Sequence, residues 1–275
     1  LYTKLDMAKQ KIENYSRTLD LEMEKGRKLQ KDFLPDKLPV LNGWEMAADL
    51  HSALRVSGDF YDAFTLSDRY LMFVIGDVCD KGVGAALFMA LFRSLIRAYV
   101  GMSFPSDTSP AADNLRPMEI LEAINSTENY IATLHGHSGM FATLVCGVLN
   151  HSNGELTYIN AGHEPPIVIG SRGIKHVLMP TGPAVGISSG SKYTRKKVQL
   201  ERGDTLIGYT DGVTEAESEK GIRFTRDRLH DIVAEPPPSA IEMLQRIESA
   251  LFKHIKNAPR GDDITILTLR RKPVD

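Results

Sequence analysis

Apolar spacing divides the chain into two textures. Steps of four and three from Leu1 reach Leu5, Ala8, Ile12, Tyr15, Leu19, Glu22, Gly26, Leu29 and Phe33, with charges at most intervening positions and no proline before Pro35. A stripe this narrow, sustained as far as Phe33, is the pattern of a helix that pairs along a heptad seam. Glu22 and Gly26 weaken the second half of the seam. Two arrangements therefore stand: a parallel dimeric coiled coil, and a single amphipathic helix docked on the domain C-terminal to it.

From Pro35 onward short apolar runs are broken by Gly, Asp and Pro. Strand-like runs fall at 44–50, 55–64, 69–78, 139–149, 155–160, 166–169, 193–200, 205–209 and 264–270. Helical spacing runs through 85–100, 117–134 and 239–256, and the Ser-, Pro- and Asp-rich segment 103–114 reads as a flexible loop. Strands come in groups, joined by turns such as Asn153-Gly154, and helices come in a pair and then singly. That order predicts antiparallel sheets packed with helices rather than repeated βαβ units.

Composition narrows the class. At 275 residues and 42% hydrophobic, the chain has material for one or two packed domains. With 33 basic and 35 acidic residues, net charge −2 and a pI near 6.5, nothing suits it to coating nucleic acid. No stretch approaches 18 uninterrupted apolar residues, so no membrane span is expected, and no signal-peptide pattern opens the chain. Cys79 and Cys146 lie far apart in apolar runs and read as buried thiols of a reducing, cytoplasmic compartment. The start at Leu1 reads as a piece of a longer polypeptide, tethered or not through an upstream region.

The chemistry lies in where the aspartates stand. Asp59 follows Gly58 in RVSGDFYD, and Asp77 follows an apolar run and Gly76 in YLMFVIGDVCDKG. Asp211 ends another apolar run in DTLIGYTDGV, and Asp262 and Asp263 precede one in GDDITILTL. One aspartate beside a turn is ordinary, but four such placements at the margin of a core carry a desolvation cost that convergence on a divalent cation offsets. An all-oxygen donor set suits magnesium or manganese rather than zinc or copper. Such a set can hold two ions about 4 Å apart, an arrangement suited to phosphate-ester hydrolysis without a protein nucleophile. Rival signals are weaker. Gly82-Val83-Gly84 lacks the third glycine of a dinucleotide turn, because position 87 is Leu87, and so reads as a tight helix start. His163 reads as a structural turn residue, His135 and His137 as solvated, and Cys79 has acidic neighbours that oppose a reactive thiolate.

LPDKLP, VSGDFYDAF, IGDVCDKGVGAALFMALFRSLIR, FATLVCGVL, ELTYINAGHEPPIVI, GDTLIGYTDGVTEA and GDDITILTL occur in the order found in one family. Over residues 30–271 the chain resembles the PPM (protein phosphatase 2C-like) serine/threonine phosphatases, in their bacterial SpoIIE/RsbU branch. The resemblance implies an α+β fold, an α/β/β/α sandwich of two antiparallel sheets flanked by helices. It divides the chain into a helical coiled-coil linker at 1–33 and a phosphatase domain at 34–275. It implies a two-ion site for Mn²⁺ or Mg²⁺ held by Asp59, Asp77, the Val78 carbonyl, Asp211 and Asp262, with Asp263 outside the ligand set. Asp62, Asp80 and His163 receive no role from it, and Cys79-Asp80 stands where branch members often carry Ser-Gly. The implied substrate is a phosphoserine or phosphothreonine on a STAS-like antagonist protein. An upstream sensor domain would feed a homodimer through the N-terminal helix. The alternatives are a catalytically weak dimeric scaffold of the same fold, and a metal-dependent phosphodiesterase or nuclease, against which the neutral charge balance speaks.

Overall fold

The computed structural model describes residues 2–103 and 110–273. A long helix, α1 (Tyr2–Lys31), leads into β1 (Trp44–His51), β2 (Asp59–Thr65) and β3 (Tyr70–Val78). The helices α2 (Val83–Ser103) and α3 (Pro110–Leu134) follow, and then β4 (Ala142–Asn150), β5 (Glu155–Ala161), β6 (Ile167–Gly170), β7 (Gly173–Val177), β8 (Lys196–Gln199) and β9 (Thr205–Tyr209). The chain closes with α4 (Asp211–Thr214), α5 (Arg226–Val233), α6 (Ala240–Ile255) and β10 (Ile264–Arg271).

The strands form two five-stranded antiparallel sheets, one in the order β1-β10-β9-β6-β7 and the other β2-β3-β4-β5-β8. Strand alternation assigns each side chain to a layer. Leu71, Phe73 and Ile75 of β3 enter the core between the sheets with Leu206, Leu267 and Leu269, whereas Met72 and Val74 face Met89, Phe92 and Ile96 of α2. On the far side Ile207, Ile264 and Ile266 meet Met243, Ile247 and Leu251 of α6. The result is the expected α/β/β/α sandwich. α2 also carries a window, Val83–Met102, long and apolar enough to cross a membrane by length and composition. In the fold Met89, Phe92, Ile96 and Val100 of that window are buried against a sheet.

Several expectations change. The run at 55–64 becomes strand only from Asp59, because the Ser57 hydroxyl and Gly58 N–H turn to the Asp263 carboxylate instead of a strand neighbour. Of the predicted loop, 104–109 lies outside the described residues, and Pro110–Asn114 is helical. Pro117 stands inside α3 rather than at its start. In the run at 193–200 only Lys196–Gln199 is strand, and the Tyr193 hydroxyl donates to the buried Glu128 instead. β7 and α5 carried no readable spacing: β7 is an edge strand of mostly exposed residues, and α5 buries only Leu229 and Val233. His135 is half-buried against the rings of Phe88 and Tyr130 rather than solvated, and Cys79 is half-buried rather than fully enclosed like Cys146.

Candidate metal centre

The same alternation that fills the inter-sheet core delivers the aspartates to one end of it. Asp77 continues the Leu71–Phe73–Ile75 face of β3, and Asp59 is its cross-strand partner on β2. Thr265 and Asp263 extend the Leu267–Leu269 face of β10, and Thr210 extends the Leu206 face of β9. Asp62, three residues after Asp59, takes the opposite face. There it is buried against α2 and paired with Arg93 (3.0 Å) and Arg97 (2.7 Å), which accounts for it as a structural anion.

Asp59 is 1% exposed, and its Oδ2 accepts hydrogen bonds from the hydroxyls of Thr210 (2.7 Å) and Thr265 (2.6 Å). Burial drives its carboxyl far above the usual range, and the charges of Asp77 and Asp263 add to this against the two threonines. Burial likewise lifts Asp77 to about 7, with the charges of Asp211 and Asp262 contributing. Asp211, the first residue of α4, is lifted to about 6 by burial and then by Asp262. Asp77 thus lies in the field of Asp211, Asp262 and Asp263, Asp211 in that of Asp262, and Asp59 in that of Asp77 and Asp263. Acids brought from β2, β3, α4 and the approach to β10 are held there at an electrostatic cost of the kind that a multivalent cation can offset.

Asp263 is spent otherwise. Its Oδ1 accepts the Ala53 N–H (2.7 Å), and its Oδ2 accepts the Ser57 hydroxyl (2.7 Å) and the Gly58 N–H (2.8 Å). The TDG sequence has a packing reason as well: a Cβ on Gly212 would lie 1.8 Å from the Asp263 carbonyl oxygen. Asp80 is exposed, adopts a positive φ of 70° and accepts the Lys81 N–H at 2.8 Å, so it builds the turn into α2.

Sequence reasoning passed over Lys81, Thr210 and Thr265. The Lys81 ammonium pairs with Asp262 at 2.9 Å and also donates to the Gly261 carbonyl. With Gly212, Glu215, Arg223 and Arg260 it lines a cavity of about 270 Å³ that opens beside the aspartates. The threonines were legible as neighbours of Asp211 and Asp263, but their role depends on strand register. His163 is 3% exposed, hydrogen-bonds Thr143 Oγ1 through Nδ1 (2.8 Å) and is pushed down to about 4 by burial, as suits a structural imidazole. Burial raises the Cys79 thiol, and nearby Asp77 and Asp80 reinforce it, which opposes a thiolate nucleophile.

A tighter gathering of possible ligands lies on the outer face of the first sheet. Asp49, His51 and Glu248 bring ligand atoms within 4.8 Å of one another. There the His51 ring bonds Glu248 at 2.6 Å, so the group satisfies itself.

Chains of known structure share this architecture. The SiaA PP2C domain of Pseudomonas aeruginosa superimposes with a TM-score of 0.75 at 21% identity, over 93% of this chain and 98% of that one. RsbX, solved in complex with magnesium, gives 0.58 at 15% identity, over 85% and 98%. The sandwich is thus the PP2C-type phosphatase fold. Residues 67–272 match the family of Stage II sporulation protein E (SpoIIE), and the chain belongs to that family, the SpoIIE/RsbU branch of the PPM phosphatases. It is 47% identical over 263 residues to Protein IcfG of Synechocystis sp. (strain ATCC 27184 / PCC 6803 / Kazusa), covering 91% of this chain but 42% of that protein. Phosphoserine phosphatase RsbU of Bacillus subtilis (strain 168) is 28% identical over 265 residues, 96% of this chain and 74% of RsbU. The chain therefore spans less than half of the first of these relatives.

Proposed function

We propose that this chain is a Mn²⁺- or Mg²⁺-dependent protein serine/threonine phosphatase whose substrate is a phosphoserine or phosphothreonine on a partner protein of STAS-like type. The observation that carries the reading is the convergence of Asp59, Asp77, Asp211 and Asp262 at one end of the inter-sheet core, each of the first three with its carboxyl raised by burial and by neighbouring acids. The donors are all oxygens, which fits hard divalent ions. Asp59, Asp77, the Val78 carbonyl, Asp211 and Asp262 would hold two of them. Bound ions of this kind supply an activated water and stabilise the charge that develops in phosphoryl displacement.

The chain's own groups do the rest. Thr210 and Thr265 fix one oxygen of Asp59 and leave the other to face Asp77. Lys81, paired with Asp262, and Arg223 and Arg260 share the wall of the adjoining cavity with Glu215 and Glu217, and its guanidinium groups are where a phosphate dianion would dock. Burial, Asp77 and Asp80 raise the Cys79 thiol, which disfavours it as a nucleophile. RsbU, named a phosphoserine phosphatase, supports the substrate class, and the magnesium of the RsbX structure supports the ion class. The exposed seam residues Ile12, Tyr15, Leu19 and Leu29 support a homodimer through α1; input from an upstream sensor domain and a cytoplasmic location belong to the same proposal.

The test is hydrolysis of p-nitrophenyl phosphate and a phosphoseryl peptide during Mn²⁺ titration. Asp77→Asn and Asp211→Asn are each expected to lower metal-dependent turnover by at least about a thousandfold, with an unchanged circular dichroism spectrum. Turnover that survives both substitutions sinks the assigned site. A parent protein that hydrolyses neither substrate at any Mn²⁺ concentration points to the scaffold reading instead.

A further inference from the structure

The last turns of α1 meet the domain beside residues 55–58, the backbone segment that leads into Asp59. Arg55 pairs with Asp20 at 3.1 Å on the exposed side of this junction. The closer contact is made by Gln30, whose side-chain Oε1 accepts the Ser57 N–H (2.8 Å) while its Nε2 donates to the Ser57 carbonyl (2.6 Å). One amide thus satisfies both backbone groups of one residue, as a neighbouring strand would. Only an amide side chain offers an acceptor and a donor in that geometry.

Ser57 is 1% exposed and stands at the centre of the site's scaffold. Its hydroxyl donates to Asp263 Oδ2 (2.7 Å) and accepts the Asp59 N–H (3.0 Å). The next residue, Gly58, donates its N–H to the same Asp263 oxygen (2.8 Å), and its carbonyl accepts the Val78 N–H (3.3 Å). A Cβ on Gly58 would lie 2.9 Å from the Val78 carbonyl oxygen, so the two backbones are already in contact. Gln30, Ser57 and Asp59 also line one cavity of about 280 Å³ together with Arg260.

We propose that Gln30 is a positioning residue of the metal centre: its amide locks the peptide of Ser57 and thereby sets Asp59 and the Val78 carbonyl in the places from which they hold the ions. This rests on the metal-centre reading above and adds to it a specific mechanical link, from the N-terminal helix through Gln30 and Ser57 to Asp59, and through the adjoining Gly58 to Val78. The link is separate from the apolar packing of α1, because it passes through polar contacts alone. Second-sphere groups of this kind typically alter metal affinity by 10–100-fold.

Gln30→Met keeps the length of the side chain and removes both hydrogen bonds, and Gln30→Glu keeps the acceptor while setting a carboxylate against the Ser57 carbonyl. In the full chain, calorimetric titration with Mn²⁺ is expected to show binding weakened about tenfold or more in both variants. Backbone amides of 53–59 are expected to exchange hydrogen faster. Asp20→Asn, which loosens α1 through Arg55 without touching Ser57, is expected to bind Mn²⁺ as the parent does. Parental Mn²⁺ affinity in Gln30→Met overturns the proposal, and so does an equal loss in Asp20→Asn. A parent that binds Mn²⁺ without hydrolysing phosphoesters defeats the phosphatase reading alone, and the calorimetric comparison still decides the role of Gln30. A parent that binds no Mn²⁺ defeats both.

Discussion

At the scale of single residues, charge placement controls the site, and Asp77 shows it most directly. Its carboxyl is raised to about 7, first by burial and then by Asp211 and Asp262. Because the folded protein holds that proton more tightly than the unfolded chain, the contribution of Asp77 to metal-free stability is greatest at low pH. It falls as pH rises from about 4 and is gone above about 7. Asp77→Asn removes the titrating group. In chelator at pH 8 this variant is expected to melt above the parent by roughly 5 °C, and at pH 5 the difference should shrink towards zero. Equal melting shifts at both pH values would show that Asp77 is not under electrostatic strain.

The aspartates were visible in the sequence as residues beside glycines at the ends of apolar runs, and that much of the site needed no structure. What strand parity decides is which of them share a face. Asp59 and Asp62 look alike in GDFYD, yet odd positions of β2 face Asp77 and even positions face α2. Asp262 and Asp263 are adjacent, but Asp263 is consumed by three donors from residues 53–58, while Asp262 pairs with Lys81. Contacts spanning more than 200 positions leave no local trace in composition or spacing.

At the scale of elements, buried polar ties fix the helices to the sheets. Asp62 joins β2 to α2 through Arg93, which is 12% exposed, and Arg97, whose guanidinium also lies over the Phe64 ring at 4.4 Å. Glu128 of α3 is 1% exposed and accepts from Gly186 N (2.6 Å), Ser188 N (2.9 Å) and Tyr193 OH (2.7 Å), which binds the loop before β8 to that helix. Removing one partner of a buried ion pair leaves the other desolvated, so Asp62→Ala is expected to destabilise by about 3 kcal/mol, read as a lower urea midpoint with unchanged slope. A loss below about 1 kcal/mol would mean that water reaches Arg93, as it already reaches the 44% exposed Arg97. The strands β3, β9 and β10 were readable from the sequence as continuous apolar runs, because they are buried on both faces, and α6 was readable because its buried stripe keeps helical spacing. The edge strand β7 and the short α5 were not, because tertiary contacts rather than their own patterning hold them.

At the scale of the whole molecule, the sandwich and α1 pose different problems. The sandwich closes its own cores, whereas α1 shows Ile12, Tyr15 and Leu19 about two-thirds exposed and turns inward only in its last turns. Apolar surface of that kind on an isolated helix is satisfied by a second copy. Ile12→Asp combined with Leu19→Asp is expected to halve the sedimentation mass of the chain without changing its melting temperature. A parent protein that already sediments as a monomer at micromolar concentration would favour the docked single helix.

Local patterning was enough to predict antiparallel sheets packed with helices and to single out the aspartates. Period-two and period-3.6 spacing are properties of neighbouring residues, and so is the run of an apolar strand into an aspartate. Long-range pairing alone settled which carboxylates meet, which are neutralised by arginines or backbone amides, and that the helix entering the domain grips the peptide beside Asp59. Those outcomes depend on strand register and on side chains distant in sequence meeting at one end of a shared core, where low dielectric turns small differences in position into large differences in charge stability.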